Sequence, residues 1–156
     1  MGMIYTVTFA GQAATAQVDF FEYTAPADAI VVVHSVEIAQ STDVGDAAAE
    51  GLQVLHKRGA TSSGTGGATP TPAPTEFGFA AAGGVADTMN TTKASGGTIV
   101  TLHSDAWNIA QKYLWIPVPE ARHYLSPSQR YTVERGTTPA DSITFNGTMV
   151  VEEIGG

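Results

Sequence analysis

Apolar and polar residues alternate along much of the chain, which predicts strands rather than helices. The longest such segment, 29–40, is rich in β-branched residues, which favour strands. The pattern predicts one face with Ile30, Val32, His34, Val36 and Ile38 and an opposite face with Val31, Val33, Ser35 and Glu37. Because both faces are apolar at the start of the segment, we expect this strand to lie inside a sheet rather than at its edge.

Further strands are predicted on both sides of this segment. Alternating or aromatic-rich stretches, bounded by turn residues, occur at 3–9, 15–23, 52–58, 85–90, 98–103, 111–118, 129–135 and 142–154. Asn146-Gly147 is a hairpin signal, but the arm before it would be very short, so we interpret 142–154 as one strand with a bulge at Gly147. About eight or nine strands and no long helix predict an all-β fold: a two-sheet antiparallel sandwich, with a jelly-roll topology favoured over an immunoglobulin-like one. The length predicts one domain, 1–156.

The segment 59–84 interrupts this pattern, since it combines glycine, serine, threonine and proline with almost no charge. Its prolines stand at alternate positions, which predicts a short polyproline-like stretch, at Pro70, Pro72 and Pro74. One interpretation is a mobile surface loop. The other is an arm that orders against a neighbouring molecule, which Phe77 and Phe79 favour because their rings need a site of burial. These three prolines and two phenylalanines are therefore candidate partner-binding residues.

Charge and cysteine content narrow the classes of partner. The chain has 15 acidic and 7 basic residues and a net charge of −8. Nucleic acid and anionic membranes both require a basic surface, so we predict neither as a partner. The absence of cysteine excludes disulfides and thiolate metal sites, and it is compatible with assembly in a reducing cytoplasm.

The histidines and carboxylates are the candidate metal ligands of a chain without cysteine. His34, His56, His103 and His123 lack the spacing that places two ligands on one face, and we expect His34 to be a core or interface residue. The carboxylates of Asp43, Asp46 and Glu50 offer calcium ligands within one loop, but without the alternation of an EF-hand. Turn capping by the two aspartates is favoured instead. We predict no metal and no cofactor.

The Ser- and Gly-rich motifs and the two tryptophans are the remaining candidates for a catalytic or sugar-binding site. Ser62-Ser63-Gly64 is not a nucleophile elbow, and Gly64-Thr65-Gly66-Gly67 is neither a P-loop nor a dinucleotide fingerprint, so we predict a protein that is not an enzyme. Trp107 is expected to anchor a turn at 104–108 and is a further candidate partner-binding residue. Trp107 and Trp115, with nearby tyrosines, could also line a sugar-binding face, although burial in the core or an interface is favoured for Trp115.

Several turn-forming pieces together resemble small virion proteins of tailed bacteriophages. They are Ser41-Thr42-Asp43-Val44-Gly45-Asp46-Ala47, the strand 52–58 with Gly59, the Gly/Ser/Thr/Pro loop through Pro74, Asn90-Thr91-Thr92, Gly96-Gly97-Thr98 and the ending 147–156. The resemblance covers most of the chain and carries no defined functional residues. It implies a structural capsid decoration or cement protein with a sandwich fold, frequently trimeric, on the virion surface after assembly in the host cytoplasm.

Three hypotheses about function follow. The first is a homo-oligomeric protein, with a trimer favoured, that stabilises the head by binding the major capsid protein. The second places the chain in the tail, neck or baseplate of the same particle. The third is a carbohydrate-binding module that uses Trp107 and Trp115.

Overall fold

The computed structural model describes residues 2–41 and 50–155. Their regular secondary structure consists of strands and one short 3-10 turn at Pro119–Ala121. The strands are β1 (Met3–Ala14), β2 (Asp19–Thr24), β3 (Ala29–Gln40), β4 (Gly51–Arg58), β5 (Ala73–Pro74), β6 (Val85–Asn90), β7 (Val100–Asn108), β8 (Tyr113–Trp115), β9 (His123–Leu125), β10 (Arg130–Arg135) and β11 (Ile143–Gly155). The all-β prediction is confirmed.

The strands form two antiparallel sheets that pack face to face. Sheet A has the order β5-β1-β11-β3-β8, with β9 also paired to β3, and sheet B has the order β6-β2-β10-β4-β7. The pairing is nested: β1 with β11, β2 with β10, β3 with β8 and β9, and β4 with β7. This nesting is the wrapping of a jelly roll, as predicted.

A single core fills the space between the sheets. Strand alternation directs one face of each strand inward, and the fully buried residues include large aromatic side chains from both sheets: Tyr5, Phe20, Phe21, Tyr23, Tyr131 and Phe145. Rings from different strands meet at the centre, where the centroids of Phe20 and Phe145 lie 5.1 Å apart. The hydrophobic effect on these rings drives the two sheets together.

The strand β3 lies inside sheet A, between β11 and the pair β8 and β9, as predicted. The predicted faces are wrong beyond its first half. A bulge between Val33 and Ser35, opposite Val150 and Val151, shifts the register by one residue. The residues buried in the core are consequently Val31 and Val33 before the bulge and Val36 and Ile38 after it.

Other predicted boundaries were wrong because strands continue through turn-like residues. Strand β1 runs on through Gly11 to Ala14, with a bulge between Phe9 and Gln12. Strand β7 includes Trp107, for which a turn was predicted. By contrast, 142–154 is one long strand as expected, and Gly147 allows close packing, because a Cβ there would overlap the ring of Phe9.

Candidate functional site

The segment 59–84 packs against its own molecule. Isolated bridges join Ser62 to Ser95, Thr65 to Thr92 and Ala68 to Thr88 on the side of sheet B. Further along, β5 pairs with Tyr5 and Thr6 of β1 in sheet A. The segment therefore spans from one sheet to the other, and neither the mobile loop nor a projecting arm describes it.

Two buried glutamates hold this segment at its two ends. Glu22 accepts hydrogen bonds from the Ser63 hydroxyl (2.6 Å) and the Gly64 amide (2.9 Å), and it forms an ion pair with Arg130 (2.6 Å). Glu153 accepts hydrogen bonds from the amides of Gly83 (3.0 Å) and Gly84 (2.7 Å). Hydrogen bonds to a buried carboxylate are among the stronger ones in proteins, so both ends of the segment are fixed.

The glycines of this segment permit close approach rather than flexibility. A Cβ at Gly67 would overlap the carbonyl oxygen of Thr88, and a Cβ at Gly84 would overlap the ring of Tyr23. Gly59 has a φ of 94°, in the left-handed region that favours glycine. The glycine-rich composition of the segment 59–84, which suggests a mobile loop, therefore reflects close packing of the segment against β2 and β6.

The candidate partner-binding residues are scattered rather than gathered at one site. Pro72 is buried, Pro70 and Phe79 are partly buried, and Pro74 and Phe77 are exposed. Of the two phenylalanines, only Phe77 projects fully into solvent.

The two tryptophans do not form an exposed sugar-binding face. Trp115 is 8% exposed and belongs to the core. Trp107 is partly buried, with its ring centroid 6.3 Å from that of Phe20 and 5.5 Å from that of Tyr113. The carbohydrate-binding hypothesis, which required both indoles at the surface, loses its structural basis.

An apolar strip that sequence reasoning missed runs along the outer side of sheet A. Strands β8 and β9 follow one another along the same edge of β3. Exposed large apolar side chains occur on both strands, on the connection and on the adjoining ends of β3 and β11. These residues, called here the edge strip, are Ile30, Leu114, Ile116, Val118, Tyr124 and Ile154. The stretch 113–118 is the part of the sequence that indicates this surface, because its residues are apolar at every position and not only at every second one.

Three of the four histidines meet inside the sandwich. His56 is fully buried, and its Nδ1 and Nε2 atoms lie 2.6 Å from Tyr131 Oη and 3.1 Å from Tyr113 Oη. The Tyr131 hydroxyl also lies 3.1 Å from His123 Nδ1. The ring centroid of His103 is 5.2 Å from that of His56. The core histidine is thus His56 and not His34, which instead pairs with Glu152 at 2.8 Å.

Burial keeps two members of this cluster, His56 and His123, uncharged near neutral pH. Desolvation, reinforced by the neighbouring histidines His123 and His103, lowers the pKa of His56 well below its usual value. Burial and the charge of His103 lower the pKa of His123 to about 4. Both ring nitrogens of His56 are hydrogen-bonded within the core, which is the pattern of a structural histidine.

Asp19 and Arg135 are buried charged residues with incomplete hydrogen bonding. Burial raises the pKa of Asp19 to about 7, although the amide of Ala94 donates a 2.7 Å hydrogen bond to it. The guanidinium of Arg135 lies 6.0 Å from the Phe20 ring and 5.5 Å from the Phe145 ring. In the described part of the chain, none of its three nitrogens has a hydrogen-bond partner. Burial lowers its pKa to about 10, so it stays charged at neutral pH.

Asp43 and Asp46, for which turn capping is predicted, lie outside the described residues. The Glu50 carboxylate accepts a 3.0 Å hydrogen bond from the Ala140 amide. Within 2–41 and 50–155, no group of three or more His, Asp or Glu side chains is arranged to hold a metal ion. Among the same residues, no helix is long and apolar enough to cross a membrane. Comparison of the chain with protein-family models, curated proteins and solved structures finds no match.

Proposed function

We propose that the chain is a non-enzymatic structural protein of a tailed-phage particle, and specifically a decoration or cement protein that binds the major capsid protein and stabilises the head. The observation that carries this proposal is the edge strip. Six large apolar side chains stand exposed along one side of sheet A. Several exposed large apolar side chains on neighbouring strands are typical of a contact with another protein.

The distribution of reactive groups supports a structural role. The histidines and tyrosines with shifted pKa values lie inside the sandwich, where they contact one another. A catalytic acid or base must instead reach a substrate in a cleft. A net charge of −8 also disfavours adhesion to the packaged genome.

The ordered segment 59–84 supports a rigid contact surface. Because its ends are fixed by Glu22 and Glu153, the segment loses little conformational entropy when a partner binds. A protein that reinforces a shell benefits from such pre-organisation. Copies of the chain arranged as trimers over the symmetry axes of the shell would present several edge strips together.

The experiment that tests the proposal is sedimentation of purified phage particles, followed by separation of heads from tails and mass spectrometry of each fraction. We expect the chain in the head fraction. Recovery in the tail fraction alone would favour the tail, neck or baseplate hypothesis. Absence from both fractions would overturn a virion role altogether.

A pair of variants tests the edge strip itself. Leu114 is 49% exposed within the strip, and Val85 is 53% exposed on β6 of the other sheet. Both substitutions to Glu add one negative charge at a comparably exposed apolar site. We expect Leu114→Glu to lose retention on heads and Val85→Glu to keep it, whereas equal retention of both variants would contradict a contact through the strip.

A further inference from the structure

One edge of β1 is open over half of its length. On one side β1 pairs with β11 from Met3 to Ala14. On its other side, among the described residues, it pairs only with β5, at Tyr5 and Thr6. On this side the stretch 8–13 therefore pairs with no further strand of the described chain, and its residues other than Phe9 are exposed. An open strand edge can accept an additional strand through main-chain hydrogen bonds.

The direction of the free backbone groups follows from the pairing with β5. The amide of Thr75 donates a 2.9 Å hydrogen bond to the carbonyl of Ile4. In an antiparallel ladder, alternate residues direct their N–H and C=O groups to the same side. Because β1 is regular from Ile4 to Phe9, the N–H and C=O of Thr8 also point to the side where β5 ends.

A cleft lies next to this edge. It has a volume of about 420 Å³, and it is bordered by β1, by the end of β6 and by the stretch 66–70 of the segment 59–84. Its described lining consists of small, hydroxyl and apolar residues together with the amide of Gln12, and it includes no charged side chain. Met89, which lines the cleft, has a φ of 57°, an uncommon conformation for a residue other than glycine.

We propose that this cleft binds an extended, uncharged peptide segment of a partner polypeptide, which adds to β1 as a strand. The chain itself shows that this edge takes an extended uncharged segment, since β5 occupies it immediately upstream. Before it reaches β5 the chain pairs with Thr88 through Ala68 and then crosses to β1. This crossing leaves the cleft open and forms its outer wall.

The wall determines what kind of partner fits. Because the stretch 66–70 lines the cleft together with β1, we expect a single extended segment there and not the edge of a second folded sheet. The carbonyl of Ala10 accepts a 3.3 Å hydrogen bond from the Gln12 side chain, which has to move when a strand binds. This site differs from the edge strip and does not depend on a position in the head.

The test uses the full chain and an acetylated, amidated heptapeptide of sequence TVTATVT, with TVPAPVT as a control peptide that lacks two amide donors. Amide chemical shifts are followed during titration. We expect changes confined to 8–13 and 66–70, and a Kd of about 1 mM or tighter for the first peptide. The control peptide should bind about tenfold more weakly.

Two variants complete the experiment. Ala13→Glu places a charge in the cleft, and Ala121→Glu places the same charge on the exposed 3-10 turn. We expect about tenfold weaker peptide binding for the first variant and none of this loss for the second. Absence of shifts at 8–13 with millimolar TVTATVT, or equal binding by both variants, would overturn the proposal. Concentration-dependent dimerisation that Ala13→Glu abolishes would overturn it as well, because a second copy would then cover the edge.

Discussion

The hydroxyl of Tyr23 on β2 donates a 2.9 Å hydrogen bond to the carboxylate of Glu153 on β11, and so joins the two sheets through their interior. The same carboxylate accepts the amides of Gly83 and Gly84. One buried side chain thus connects sheet B, sheet A and the end of the segment 59–84. The position of that segment is consequently linked to the packing of the sandwich.

We predict that Glu153→Gln destabilises the protein. The two carboxylate oxygens of Glu153 accept three hydrogen bonds, from Tyr23, Gly83 and Gly84. The NH₂ group of a glutamine cannot accept a hydrogen bond, so at least one of these buried donors loses its partner. The expected loss in the free energy of unfolding is about 2–3 kcal/mol, measured by urea denaturation. Glu120→Gln on the exposed 3-10 turn is the matched control and should change it by less than about 0.5 kcal/mol. Equal effects of the two variants would contradict the role of Glu153.

The glycines of the segment 59–84 provide a second prediction. Gly67→Ala forces a Cβ against the Thr88 carbonyl, whereas Gly78→Ala meets nothing within 4 Å. We expect Gly67→Ala to lower the free energy of unfolding by about 1–3 kcal/mol and to expose the segment to limited proteolysis. Gly78→Ala should be neutral. If both variants resist protease like the wild type, the segment is not held by close packing.

The histidine cluster predicts a loss of stability in acid. Histidines in the unfolded chain bind protons near pH 6.5, while folded His123 does so only near pH 4, and the pKa of folded His56 also lies well below its usual value. Between these values the unfolded state binds more protons, so the free energy of unfolding falls as the pH falls. Asp19 acts in the opposite direction, because its folded pKa of about 7 means that the folded state binds the extra proton.

The variant His123→Gln separates the contribution of His123 to the pH dependence of stability from that of Asp19. In this variant His123 no longer titrates, and Asp19 is unchanged. We expect the loss of stability from pH 6.5 to pH 4 to be smaller in the variant, with a slope that differs by up to about 1.4 kcal/mol per pH unit. Denaturation curves at several pH values provide the measurement. Parallel pH dependences in the two proteins would contradict a buried, uncharged His123.

Replacement of Arg135 is predicted to stabilise the protein. Its guanidinium is fully buried between aromatic rings, and no described residue accepts its hydrogen bonds. Replacement of an incompletely satisfied buried charge by an apolar side chain of similar volume is frequently stabilising. We expect Arg135→Met to raise the free energy of unfolding by about 1–3 kcal/mol. A loss of stability of the same size would show that the guanidinium has a favourable partner.

The sequence predicted the fold class, the jelly-roll topology and the interior position of β3, because alternation and turn residues report which faces are buried. It mispredicted the faces of β3, since a bulge opposite Val150 depends on the partner strand and leaves no local signal. It also missed β5 and β9, which are too short to alternate.

The candidate site was harder to predict for a related reason. A Gly-rich composition has two physical explanations, flexibility and close packing, and only the tertiary contacts of Gly67 and Gly84 distinguish them. The edge strip depends on which strands follow one another along β3. That neighbourhood is decided by topology rather than by any local pattern.

We propose that this sandwich serves as a structural contact on the phage head. Electron cryomicroscopy of the intact particle is the measurement that tests it most directly. The account predicts density for the jelly roll on the outer surface of the head, with Leu114, Ile116 and Tyr124 facing the major capsid protein. Density at the tail alone, or a head-bound sandwich whose edge strip faces solvent, would contradict it.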